Sequence, residues 1–520
     1  MDSIFSSIES TQQRGNLLLN MRTSISFYLV PSITLAIIFV HVCFGRNLDY
    51  TADELYFVEC SRHLDLGFVD VMPLVPLLYY LSQKFFGESL IALRMLPALA
   101  HAGTALLTSR ISQNFGGARF AQVLACFSVA ICPAFLRLGN IFTVVSLEPV
   151  LWTLLSYILI KIVKDNRDNL WLLFGLLAGL SVLTKPTIVL YGVGLALALY
   201  LTSLRHFRLR RWLWLGFLIF NLVISPNIVW QVQNHWPTLR FIASLPNSVN
   251  VSQQGAGEFL LGQILYLSPF CSLLVLLGAY YLLFAKQTQT FRFFGLIYAV
   301  LILLFVFSVN KIYYTLAAYP LLIAAGSTCL GNRLSNYRVL GERVVVACLV
   351  LISCLVWVPL AIPLLSAEKT ESLLKGISSQ WLNAQQAPEL VEILSVPKTE
   401  ERTRLLRDLA EAYQQLSSEG EAWAILASDY EDASAINVLG AKFGLPKAIS
   451  GEVGFFMWGS GTNTLQRVIT IGFNERFLRS LFREVHSHSQ NTRLRFCRKP
   501  LIDLKAEWYR LQTFGDNAAY

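Results

Sequence analysis

The sequence predicts an all-α polytopic membrane domain of about eleven transmembrane helices, followed by a small C-terminal α/β soluble domain. Three observations carry this reading. Of the 520 residues, 54% are hydrophobic and only 14% are charged, with a mean hydropathy of +0.52; soluble domains carry about 25% charged residues. Apolar runs close to the ~20 residues that cross a bilayer core recur through the first two thirds of the chain. The charge also divides. Residues 364–520 hold 18 Lys and Arg against 19 Asp and Glu, whereas residues 1–363 hold 24 against 14, so the whole +9 surplus lies in the hydrophobic part. Basic residues in membrane loops explain such a surplus, which therefore does not indicate nucleic acid as a partner.

The elements follow in order. The apolar run Ser24–Phe44 is too long for a signal-peptide core and is read as an uncleaved first span. Further spans are expected at residues 90–109, 120–137, 144–163, 170–184, 187–204, 212–230, 260–284, 293–309, 312–330 and 344–365. The piece at 170–184 is short enough to be broken or re-entrant. Basic residues alternate between the loops: Arg110 and Arg119; Lys161, Lys164 and Arg167; Arg205, Arg208, Arg210 and Arg211; Lys286 and Arg292; Arg333, Arg338 and Arg343 all fall on one side. The positive-inside rule then puts the N-terminus in the cytoplasm of a multi-pass plasma (inner) membrane protein. The domains are thus residues 1–365 in the membrane and 366–520 outside it, on the extracytoplasmic side. The first outer loop, 45–89, is expected to carry a helix over Asp53–Phe68 and an interfacial helix over Pro73–Phe86, which is too short to span. In the tail, Thr399–Leu416 and Glu475–Val485 read as helices, and Trp423–Ala427 and Arg467–Phe473 as strands.

Carboxylates are the most informative chemical signal. The first outer loop carries seven, Asp49, Asp53, Glu54, Glu59, Asp65, Asp70 and Glu88, and between Glu88 and Asp165 the chain has one more, Glu148. Acids at span ends are costly unless they face water or a partner, which makes Asp53, Glu54 and Glu148 the candidate catalytic residues. Solvated span ends and a helix N-terminal acid pair are the plainer alternatives. Cations on the same face form the second group: Lys185 within Leu183-Thr-Lys-Pro-Thr187, Lys311 opening Asn310-Lys-Ile-Tyr-Tyr314, and Arg62 and His63 after the acidic helix. Lysines beside the phenols of Tyr313 and Tyr314 suit a lipid phosphate, although snorkelling anchors would look alike. Trp230, Gln231 and Trp236 near the end of the seventh span could stack on a sugar or simply anchor it. The nine cysteines lack metal-ligand spacing, and no phosphate-binding glycine loop or HExxH occurs.

Several stretches together resemble the polytopic, lipid-phosphate-sugar-dependent glycosyltransferases of the GT-C type. The resemblance is closest to the family 39 group of protein O-mannosyltransferases and the lipid A aminoarabinose transferase, in its bacterial members of unknown acceptor. These stretches are Tyr50-Thr-Ala-Asp-Glu-Leu-Tyr56, Cys60-Ser-Arg-His-Leu-Asp-Leu-Gly-Phe-Val-Asp70, Pro73-Leu-Val-Pro76, Leu93-Arg-Met-Leu-Pro97, Leu183-Thr-Lys-Pro186, Pro226-Asn-Ile-Val-Trp-Gln231, Lys311-Ile-Tyr-Tyr314 with Tyr319-Pro320, and Gly444-Leu-Pro-Lys-Ala-Ile-Ser-Gly451 with Met457-Trp-Gly459. The resemblance implies inverting transfer of a sugar from a polyprenyl phosphate to a lipid, glycan or protein acceptor on the extracytoplasmic side. It implies Asp53 as base or acceptor-positioning group, Glu148 as the second acid, and Lys185 and Lys311 at the phosphate. In the aminoarabinose branch a Glu-Lys pair precedes the first-loop proline; here Val71-Met72 stands there. No metal ligand is therefore assigned, and a divalent cofactor is left open. The rival reading is a transporter or flippase of a lipid-linked saccharide.

Overall fold

The computed structural model describes residues 28–244, 256–306, 312–334, 340–362, 399–417, 422–461, 465–489 and 491–514. Helices fill most of the first part, and a five-stranded sheet forms in the last. Four of the described helices are long and apolar enough to cross a membrane: Leu90–Asn114, Arg211–Gln233, Lys286–Val306 and Tyr313–Leu334. Two bent helix pairs bring this to six, and Tyr28–Phe44, Leu170–Val182 and Ile188–Leu201 are shorter apolar helices. The protein is a multi-pass membrane protein.

Several expected spans prove to be irregular, and two of them break ahead of a proline. The run at 120–137 is two helices, Arg119–Ile131 and Pro133–Asn140, bent by 57°. Pro133 lacks an N–H, and the residue before it, Cys132, is pushed to an extended conformation. The run at 260–284 breaks between Phe259–Leu267 and Pro269–Phe284 with a bend of 116°. There Ser268 takes a positive φ of 73° ahead of Pro269. Residues Ile312–Ala318 form a tight 3-10 turn before the helix Tyr319–Leu334. The last run is helical over Leu340–Ile352 and then passes through a π turn at Ser353–Trp357.

Close packing uses small residues, as expected where lipid supplies no hydrophobic drive between helices. A Cβ on Gly175 would strike the backbone of Gly216, and one on Gly216 the backbone of Trp171, so Leu170–Val182 and Arg211–Gln233 cross at backbone contact. The helices Leu170–Val182 and Ile188–Leu201 are 13 and 14 residues long, about 20 Å each at 1.5 Å per residue. The polar segment between them carries Lys185.

The first loop differs in detail from expectation. Its helix is Ala52–Arg62 and stops at His63, whose backbone leaves the helical region. The chain then runs non-helically to the interfacial helix Leu74–Phe86. It is clamped from outside: Trp230 Nε1 donates to Asp65 (2.8 Å), Asn227 to the Leu66 carbonyl (2.9 Å) and the Thr238 hydroxyl to the Phe68 carbonyl (3.0 Å). The aromatic and amide residues at the end of Arg211–Gln233 thus hold the loop.

In the tail, strands β1 (Ala424–Ala427), β2 (Ala448–Ser450), β3 (Arg467–Ile471), β4 (Phe482–Ser487) and β5 (Leu494–Pro500) form a sheet in the order β2-β1-β3-β5-β4. The β1 pairings are parallel and those of β5 antiparallel. The expected helix over Glu475–Val485 ends at Leu481. Phe482–Ser487 instead pairs with β5, with Val485 opposite Cys497, because Phe482 and Val485 are buried on the sheet. One apolar core unites the tail with the first loop: Tyr56, Phe57, Val69 and Val75 pack together with Leu405, Ile436 and Phe455.

Candidate active site

Glu54 is the best-defined acid. It caps its own helix: Thr51 Oγ1 accepts from Glu54 N (3.2 Å) and Glu54 Oε2 accepts from Thr51 N (2.9 Å). Arg94 reaches it from the helix Leu90–Asn114, with Nε 2.9 Å from Oε1 and Nη2 2.6 Å from Oε2, and the Phe142 amide donates to Oε1 at 3.0 Å. Arg94 spends its remaining hydrogens on the carbonyls of Gly45, Leu48 and Asp49. A fully buried carboxylate that already receives four donors has no lone pair left for a substrate proton. The structure thus places Glu54, expected as a catalytic candidate, as an organiser of the loop.

Asp53, its neighbour, points the other way and is exposed. The Tyr430 hydroxyl, from the tail, donates to its Oδ1 at 3.2 Å.

Glu148 opens the helix Glu148–Asp165 and is buried. Its Oε2 lies 3.1 Å from Lys185 Nζ, and Thr187 donates to its Oε1. The Lys185 ammonium also sits over the rings of Tyr314 (4.5 Å to the centroid) and Tyr313 (5.2 Å). Four of the expected residues, Glu148, Lys185, Tyr313 and Tyr314, thus form one cluster. A lysine held between a carboxylate and two ring faces is a fixed positive point, suited to an anion. The Leu74 amide bonds the Leu183 carbonyl (3.0 Å), which ties the segment of Lys185 to the first loop. Lys311 lies outside the described residues.

Arg62 and His63 make their contacts toward the tail. Arg62 pairs with Glu59 (2.7 Å) and Glu88 (3.5 Å) and reaches the Asn437 carbonyl. The His63 ring stacks on Trp458 at 4.3 Å. Both belong to the seam with the tail, because the helix Ala52–Arg62 ends there and turns its last residues toward Asn437 and Trp458.

That seam holds residues the sequence reading passed over as a site. Tyr56 donates to Asp70 Oδ1 (2.7 Å) and accepts from the Gly454 amide (3.1 Å); its ring lies 4.8 Å from that of Tyr430. A Cβ on Gly454 would come within 2.5 Å of the Tyr56 hydroxyl oxygen. The Tyr430 amide donates to Glu452 at 2.6 Å. Loss of water raises the Asp70 carboxyl to about 7 and that of Glu452 to about 8. The nearby Asp53 charge, then burial, holds the Tyr430 phenol well above its usual value, so it stays a donor. Tyr56 and Asp70 stand in motifs quoted above; Tyr430 and Glu452 carry no local pattern. Among the described residues, no three His, Cys, Asp or Glu side chains converge to hold a metal ion.

A family model described as dolichyl-phosphate-mannose-protein mannosyltransferase matches residues 70–230. Among solved structures, ArnT from Cupriavidus metallidurans in the apo state is similar with a TM-score of 0.59 at 14% identity, covering 92% of this chain and 98% of that one. The chain has the GT-C fold. The GT-C match extends to the same ArnT bound to undecaprenyl phosphate, with a TM-score of 0.58 at 14% identity over 91% of this chain and 97% of that one. It also extends to the archaeal oligosaccharyltransferase AglB from Archaeoglobus fulgidus in complex with an inhibitory peptide and a dolichol-phosphate, with a TM-score of 0.51 at 13% identity over 85% of this chain and 69% of that one. No curated protein sequence matches this chain significantly.

Proposed function

We propose that the protein transfers a sugar, with inversion, from a polyprenyl phosphate to a lipid, glycan or protein acceptor on the extracytoplasmic face of the membrane. The carrying observation is the Lys185 ammonium fixed by Glu148 and the faces of Tyr313 and Tyr314. Support comes from the two similar structures that hold a polyprenyl or dolichol phosphate. In the reaction, the acceptor oxygen attacks the anomeric carbon as the bond from that carbon to the phosphate oxygen breaks, so the configuration inverts. The acceptor proton passes to Asp53, and the lipid phosphate leaves with its charge opposite Lys185. Stabilising charge on a leaving group in a dry site is commonly the largest catalytic contribution. A leaving phosphate asks little of the base, and positioning can dominate. The base role rests on Asp53, with Glu148 orienting Lys185. The described part of the tail would cover Asp53, where Tyr430 meets it.

The test is transfer from a labelled polyprenyl-phosphate sugar in membranes. Asp53→Asn should abolish transfer while the protein persists. Lys185→Met should raise the donor KM about tenfold or more, since hydrogen bonds to charged groups contribute roughly 1.5–3 kcal/mol. Wild-type rates in both variants would refute the assignment, and movement of labelled lipid across vesicles without transfer would favour a flippase.

A further inference from the structure

We infer that the tail supplies part of the active site: Tyr430 is a positioning residue that orients Asp53. The inference rests on the transferase reading above. Asp53 stands on the exposed side of the helix Ala52–Arg62, where an aspartate has several staggered rotamers to choose among. The Tyr430 hydroxyl donates to its Oδ1 at 3.2 Å and so favours one of these orientations.

Tyr430 is itself held at its ring and at its amide. Its ring packs against Tyr56 at 4.8 Å, and Tyr56 is pinned by Asp70 and the Gly454 amide. Its amide donates to Glu452. Between Glu452 and Gly454, Val453 takes a φ of 38°, a region a β-branched residue rarely adopts. That local cost is sustained by what flanks it, one contact to each tyrosine. The whole arrangement therefore runs from a tail loop through two phenols to two loop carboxylates, and it delivers one donor to the acid proposed for catalysis.

A bond from a neutral donor to an ionised carboxylate lowers the pKa of that carboxylate. Removing it raises the pKa and weakens the orientation. Tyr430→Phe should lower kcat about tenfold to a hundredfold, leave the KM for the polyprenyl-phosphate donor unchanged, and move the acid limb of the kcat–pH profile upward. Placing 3-fluorotyrosine at position 430, a stronger donor of nearly the same shape, should move that limb downward. Arg402→Ala serves as the docking control. It removes the Arg402–Asp49 ion pair (2.6 Å) that also joins tail to loop, and should lower thermal stability with the limb in place. Two results overturn the inference: wild-type kcat and pH profile in Tyr430→Phe, or an equal shift of the limb in Arg402→Ala. If Tyr430→Phe fails to fold, the fluorotyrosine protein decides, and an unmoved limb there overturns it. Asp53→Asn separates the two ideas: inactive Asp53→Asn with normal Tyr430→Phe sinks only the role of Tyr430, whereas active Asp53→Asn sinks the transferase reading.

Discussion

Glu54 and Arg94 show how one side-chain pair fixes a functional loop. The guanidinium uses all five of its N–H groups on Glu54 and on the carbonyls of Gly45, Leu48 and Asp49. Removing one partner of such a buried pair leaves an uncompensated charge and costs about 3–5 kcal/mol. Arg94→Met should therefore lower the thermal midpoint in detergent by several degrees, and Arg94→Lys should rescue little, because an ammonium cannot reproduce the planar fork. A midpoint unchanged in Arg94→Met would contradict this. The pair also marks what could be read from sequence. Asp53 and Glu54 stand out together as acids after a hydrophobic run. Their divergence does not, because it depends on Arg94, 40 residues away, and on the Phe142 amide, 88 residues away. Lys185 was legible as a polar interruption. That it faces Tyr313 and Tyr314 is a contact between segments far apart in the chain that no periodicity encodes.

At the scale of elements, the seam between the helix Ala52–Arg62 and the tail should respond to pH. Asp70 and Glu452 are raised to about 7 and about 8 by loss of water. Their unfolded values are near 4. Carboxyls with a raised folded-state pKa favour the protonated form, so the folded seam loses stability as pH climbs from about 4 through 8 and stays weakened above that. Asp53, Asp429 and Glu431 crowd the same region and act in the same sense. Hydrogen exchange of the helix Tyr430–Leu439 should quicken as pH is raised, after correction for intrinsic rates, and Glu452→Gln should flatten the trend. An identical trend in that variant would speak against this cause. Element boundaries were legible where periodicity was long, as in Thr399–Ser417. They failed where one residue changed the geometry: Pro133 and Pro269 each split a run that hydropathy reads as continuous, and β4 was hidden because a six-residue strand follows a seven-residue helix with no turn between them.

The whole molecule joins a membrane bundle to a sheet domain through the first loop. Their common core includes Tyr56, Phe57 and Val75 on one side and Leu405, Ile436 and Phe455 on the other. Residues 399–514 produced alone should expose that face, bind hydrophobic dye and aggregate; a monomeric, dye-silent fragment would show that the shared core is not needed. Membrane class and the presence of a separate tail were plain from composition and charge. Mutual burial of tail and loop was not, because each reads by itself as an ordinary amphipathic segment.

Asp53 and Tyr430 are separated by 377 positions along the chain. At a synthesis rate of about 5–20 residues per second, the acid leaves the ribosome roughly 20–75 s before the phenol that meets it. A nascent chain already inserted in the bilayer would spend that interval before Tyr430 can meet Asp53, so this contact between tail and first loop forms only as translation nears its end.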